Sequence, residues 1–148
     1  MTDRTDTNIN EAITYAASDL ARTDTKAGLL LTLDGLLVAA LGLTGTDLHG
    51  LALILAIIGA VALIASVVLA LLVLRPRIAG GRINDRASYA YYATAKPDAI
   101  AQALAEDRRP ARLIALSTIA LRKMRLLIWA GDTTLAAVIA IAAAILTR

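Results

Sequence analysis

The chain has 148 residues, 58% of them hydrophobic, with no Phe, no Cys and a single His. An ordinary soluble domain carries roughly 45–50% apolar residues, and one small core cannot enclose this surplus, so part of it must face lipid. The same figures exclude a disulfide scaffold and a zinc site, and they exclude disorder. The formal charge is +3, and the basic residues concentrate in one connecting segment, unlike the spread of a nucleic-acid-binding face.

The first 26 residues are polar, with three basic groups (Arg4, Arg22, Lys26) against five acidic ones (Asp3, Asp6, Glu11, Asp19, Asp24), a net charge of −2. Ile9, Ile13, Ala16 and Leu20 recur at helical spacing, which predicts a helix over 8–26. Asn8 or Asn10 is positioned to cap it. No Gly or Pro intervenes before Gly28, so this helix is expected to continue into the first apolar run. A net-negative leader of this length differs from the short basic start of a cleaved signal peptide.

About 20 apolar helical residues cross a bilayer. Three runs meet that length: 27–45, interrupted by Asp34; 51–74, with Ser66 as its only hydroxyl and no charge; and 126–146, interrupted by Asp132. The second ends at Arg75-Pro76-Arg77 and the third follows Arg122-Lys123-Met124-Arg125. Between them, residues 75–125 carry eleven Lys or Arg against four acids, which places this segment in the cytoplasm. The connection 46–50 has no Lys or Arg and is expected outside, leaving the N-terminus inside. Within 75–125, Gly80-Gly81 reads as a loop, Tyr89-Ala90-Tyr91-Tyr92 follows, and Pro97 opens a short helix to about Glu106. Arg108-Arg109-Pro110 breaks it, and a last helix from about Ala111 runs into the third span. The expected fold is a single all-α membrane domain with three transmembrane helices and short cytoplasmic helices between the second and third.

No catalytic constellation is visible: there is no Gly-rich phosphate loop, no Cys nucleophile, and His49 stands alone in a short turn. An enzyme is not expected, nor a cofactor or a metal. Three other patterns stand out. Thr14, Ser18, Ala21, Thr25, Gly28, Thr32, Gly35, Ala39 and Gly42 form a stripe of small residues at alternating steps of four and three. In lipid, small residues let helices approach closely. The stripe therefore serves packing within the chain, self-association centred on Gly28, Thr32, Gly35, Ala39 and Gly42, or both. Ala56, Gly59 and Ser66 give the second span a small face of its own.

Asp34 and Asp132 are intramembrane acids, costly in hydrocarbon and usually functional or paired. They lie at a shared depth, about 10–12 Å past the cytoplasmic boundary. They either share a pocket or bond to a nearby hydroxyl such as Thr32, Thr133 or Thr134. Finally, Arg77, Arg82, Arg86, Arg108, Arg109 and Arg112 combine with Tyr89, Tyr91 and Tyr92 in the basic segment. Arginines hold phosphate and tyrosines stack on bases, while the same charges also anchor a protein at lipid headgroups.

The run Ala21 to Gly35, with Asp24-Thr25-Lys26-Ala27-Gly28 at its centre, resembles the opening signature of the Pycsar transmembrane effector family. The Arg-Pro-Arg after the second span, the tyrosine cluster, and Leu116 to Lys123 before the last span resemble it in the same order, over roughly residues 10–146. The resemblance implies bacterial anti-phage defence by abortive infection. A cyclic pyrimidine mononucleotide, cyclic CMP or cyclic UMP, would trigger an effector in the inner membrane that impairs membrane integrity. Its implied partners are the bilayer, the cyclic nucleotide and further copies of itself, with no nucleic acid. The readings that need no nucleotide are a small membrane adaptor and a proton-conducting subunit.

Overall fold

The computed structural model describes residues 2–43, 48–75 and 89–147, all of them in five helices or their short connections. These are α1 (Thr2–Leu43), α2 (Gly50–Leu74), α3 (Tyr89–Thr94), α4 (Pro97–Ala105) and α5 (Arg109–Leu146). α1, α2 and α5 are each long and apolar enough to cross a membrane. The fold is all-helical with three candidate spans, as the three apolar runs predict. α1 is one uninterrupted helix and begins ahead of the expected start at Asn8. α5 begins at Arg109, two residues before the expected Ala111. Pro110 falls in its first turn, where a missing N–H costs no intrahelical bond. Asp107 helps to set that start by accepting a hydrogen bond from the Arg109 backbone N–H at 3.2 Å.

The chain divides into two compact units, 1–22 with 76–122 and 23–75 with 123–148. In the second unit, α2 turns mostly small residues inward, with Leu63 and Val73 among them, and most of its large ones outward. Its buried positions are Ala52, Ala56, Gly59, Leu63, Ser66, Ala70 and Val73, again in steps of four and three. Leu51, Ile54, Ile57, Ile58, Val61 and Ile64 are exposed. This inversion of a soluble core is what lipid favours, because tails solvate Leu and Ile while small residues allow backbones to touch. α5 answers with Ala130, Thr134, Ala137, Ile141 and Ala144. Leu63, Ala137 and Ile141 form the core, lined by Leu37, Leu41 and Ala62. α1 and α5 advance in parallel, since Asp24 meets Lys123 and Asp34 meets Thr134.

In the first unit, α4 buries Ala103, and Tyr91 and Tyr92 of α3 meet edge to face with centroids 6.1 Å apart. Asp6 of α1 forms an ion pair with Arg109 of α5 in this unit.

Candidate functional site

The centre of the second unit is a carboxyl. Asp34 is completely enclosed, as is Ser66, and Thr134 is 4% exposed. The Ser66 hydroxyl donates to Asp34 Oδ2 at 2.7 Å, and the Thr134 hydroxyl donates to Asp34 Oδ1 at 2.9 Å. The two hydroxyl oxygens lie 2.6 Å apart, and the Ala130 carbonyl is 3.1 Å from each. All three spans thus meet at one polar knot. Ala27, Asp34 and Leu41 follow a seven-residue repeat along the inward face of α1, which is why this acid points in.

Asp132 is not part of it. It is exposed on α5, because two residues turn a helix by about 200° and put it opposite the inward Thr134. Equal depth did not bring the two acids together. Of the three hydroxyls considered for Asp34, Thr134 is the partner. Thr32 is exposed and donates to its own helix at the Gly28 carbonyl, 3.1 Å away. Thr133 does the same toward Trp129 and Ala130. Ser66, the second partner, carried a signal as the one hydroxyl of an otherwise apolar span.

The small-residue stripe of α1 faces away from this packing. Nothing lies within 4 Å of a Cβ placed on Gly28, Gly35 or Gly42, and Thr32, Gly35, Ala39 and Gly42 are exposed. Among the described residues, the three glycines of the stripe therefore pack against no other part of the chain. The stripe sits one residue, about 100°, around from the inward positions 27, 34 and 41. Packing within the chain uses Gly59 of α2 instead, where an added Cβ would come 2.7 Å from Ile141 Cγ1.

The motif at 24–28 divides its tasks. Asp24 accepts a 2.5 Å hydrogen bond from Lys123, whose side chain is 13% exposed. Ala27 is buried in the bundle and Gly28 opens the outward stripe, while Thr25 and Lys26 are exposed.

In the first unit, Arg109 is held by two carboxylates. Its guanidinium donates to Asp107 at 2.8 Å and to Asp6 at 2.7 Å. The hydrogen bonds from Arg109 hold the Asp107 carboxyl down, lowered to about 2, and the same contact pushes the Arg109 guanidinium up. Arg108 pairs with Glu106, and its buried Nε–H has no hydrogen-bond partner among the described residues. Arg112 is exposed, and Tyr91 and Tyr92 are half-buried. Tyr89 opens α3, while Arg77, Arg82 and Arg86 lie outside the described residues.

Residues 8–148 match the family described as the Pycsar effector protein domain. The chain belongs to that family. No curated protein and no solved structure matches it. The match takes in the whole of the second compact unit of this Pycsar effector domain and all of the first except residues 1–7. Together with the three spans, membership makes the chain a multi-pass membrane protein of the Pycsar anti-phage system.

Proposed function

We propose that this Pycsar effector sits in the bacterial inner membrane with its N-terminus in the cytoplasm. It assembles as a homo-oligomer and, on binding cyclic CMP or cyclic UMP, rearranges its spans so that the membrane leaks. It acts by binding and movement, with no catalysis of its own. The basic excess of 75–125 supports the orientation. A cysteine replacing Thr94 should then be shielded in intact cells from an impermeant thiol reagent that labels one replacing His49.

The observation that carries the reading is the outward face of the bundle. An acid, Asp132, and an open glycine stripe both point away from the chain's own packing, although both lie in spans. A carboxyl facing lipid costs a few kcal/mol on insertion scales, so protein or water must cover it in the assembled state. The Asp34–Thr134 bond sets the register of α1 against α5. Thr32 and Asp132 each precede that bond by two residues, so the stripe and the acid share one level. A second copy is the partner that covers both.

For the ligand, Arg109 is already satisfied by Asp6 and Asp107. Arg108, with a spare donor, and the exposed Arg112 are the arginines better placed to take a phosphate. Moving a two-state assembly from 1:99 to 99:1 needs about 5.5 kcal/mol of differential affinity. One mononucleotide per oligomer falls short of that, and several bound copies reach it because their contributions sum.

The test is dye release from liposomes holding the purified protein, with cyclic CMP and cyclic UMP added separately. Release with one of them, lost in Arg108→Ala and Arg112→Ala, is expected. No binding and no release with either would favour the adaptor reading, and proton flux without any nucleotide would favour the conducting subunit.

A further inference from the structure

The second unit carries one unanswered cation on each span. Lys26 of α1, Arg75 at the end of α2 and Arg125 of α5 are all exposed. None of these three side chains has a hydrogen-bond or ion-pair partner among the described residues. Asp24, the acid beside them, is already taken by Lys123.

The polar knot fixes their height. Asp34, Ser66 and Thr134 meet at one level. α2 runs against α5, because Gly59 faces Ile141 while Ser66, seven residues on, meets Thr134, seven residues back. Counted toward the same end of the bundle, Lys26 is eight residues from Asp34, Arg75 nine from Ser66, and Arg125 nine from Thr134. At 1.5 Å per residue the three cations all stand about 12–14 Å from the knot. They therefore form one ring around the spans. Nine residues also leave a helix about half a turn round, so Arg75 and Arg125 point away from the inward Ser66 and Thr134. Cations that point outward from separate helices cannot close on one small anion.

Trp129, the chain's single Trp, is 60% exposed and lies four residues, about 6 Å, deeper than Arg125. Beyond the ring, residues 27–74 and 126–147 hold no Lys and no Arg. Charge outermost, an indole one turn in and hydrocarbon beyond is the order of layers met on entering a lipid leaflet.

We propose that Lys26, Arg75, Arg125 and Trp129 form a docking surface for anionic phospholipid, which gathers around the three spans at this level. A zwitterionic headgroup brings a cation of its own, whereas a net-negative one answers a charge that the chain leaves open. Each basic residue near an anionic leaflet adds about a fivefold preference. The contact also sets depth, placing the Asp34 knot close to the middle of a hydrocarbon core about 30 Å thick. The surface needs only that the spans lie in a bilayer, and it stands whether or not a nucleotide is the trigger.

Trp129 itself reports the lipid beside it. The full-length protein is reconstituted in vesicles of phosphatidylcholine and phosphatidylglycerol in equal amounts, with one or the other brominated in the acyl chain near the headgroup. Brominated phosphatidylglycerol should quench Trp129 more strongly than brominated phosphatidylcholine. Arg125→Gln should lower that preference by about fivefold, and the triple variant Lys26→Gln, Arg75→Gln, Arg125→Gln should abolish it. Matching Trp129 emission in phosphatidylcholine alone shows that the variants are inserted alike. Arg75→Lys with Arg125→Lys keeps the charge and should keep the preference; its loss there would overturn the proposal. Equal quenching by the two lipids in the wild type, or a preference that survives in the triple variant, would overturn it as well.

Discussion

Of the described glycines, Gly59 is the one where an added Cβ would meet a neighbour, and it yields a sharp prediction. An alanine there would place its Cβ 2.7 Å from Ile141 Cγ1, about 1 Å inside ordinary carbon contact. Ile141 is 4% exposed and enclosed with Leu63 and Ala137, and a β-branched side chain on a helix has essentially one χ1 rotamer. Relief therefore requires α2 to move off α5, which would also stretch the Ser66–Thr134 contact. Overpacking of this kind costs about 1–3 kcal/mol, and replacing Gly by Ala in a helix interior returns up to about 1 kcal/mol. Gly59→Ala should thus be destabilising by about 0–2 kcal/mol. Ile141→Ala removes the clashing atom, at its own cost of about 2–5 kcal/mol, and in that background Gly59→Ala should become neutral or stabilising. The coupling expected from the double-mutant cycle is about 1–3 kcal/mol. Unfolding in detergent, followed by the fluorescence of Trp129, measures all four forms. An effect of the same sign and size in both backgrounds would refute the packing argument.

Gly28→Leu and Gly35→Leu meet open space within the chain, so they should leave unfolding within about 0.5 kcal/mol of wild type while lowering the oligomeric mass in native mass spectrometry; unchanged mass in both would remove the stripe from the interface. Asp24→Asn should cost about 1 kcal/mol, a charge-assisted bond discounted because Asp24 is 41% exposed. The exchanged pair Asp24→Lys with Lys123→Asp should recover stability that Asp24→Lys alone loses, as read from unfolding midpoints. Asp107 has its carboxyl lowered from 3.8 to about 2 by Arg109. Its contribution at the start of α5 is therefore complete above about pH 4 and lost as pH falls toward 2; a carboxyl titration by NMR that stays at the ordinary value would contradict the contact with Arg109.

The three spans were legible because their signal is one-dimensional. A run of about 20 apolar residues has one low-energy arrangement in a bilayer, whatever its neighbours do. The continuity of α1 was legible for a similar reason, since no Gly or Pro before Gly28 offers a break. The run around Asp24 to Gly28, followed in order by Arg75-Pro76-Arg77, the tyrosine cluster and Leu116 to Lys123, pointed to the family that the match over 8–148 then showed. Small, polar and charged residues on the helix faces could be listed by position, and the heptad steps of α1 and α2 could be counted.

Which face meets which helix was decided only in three dimensions. α1 carries two adjacent stripes, 27–34–41 and 28–35–42, that differ by about 100° of rotation. Nothing in a single helix says which of the two is turned inward. The choice falls to α2 and α5: their small residues admit the Asp34 face because Ser66 and Thr134 satisfy its carboxyl, whereas the glycine face would have left that carboxyl in lipid. The same rotation separates Asp34 from Asp132, two acids equal in depth and alike in chemistry. One is sealed at 0% exposure and the other is open. Hydrophobic length is a property of one segment, and it was readable from the chain. Hydrogen-bond satisfaction is a property of three segments at once, and it required the bundle.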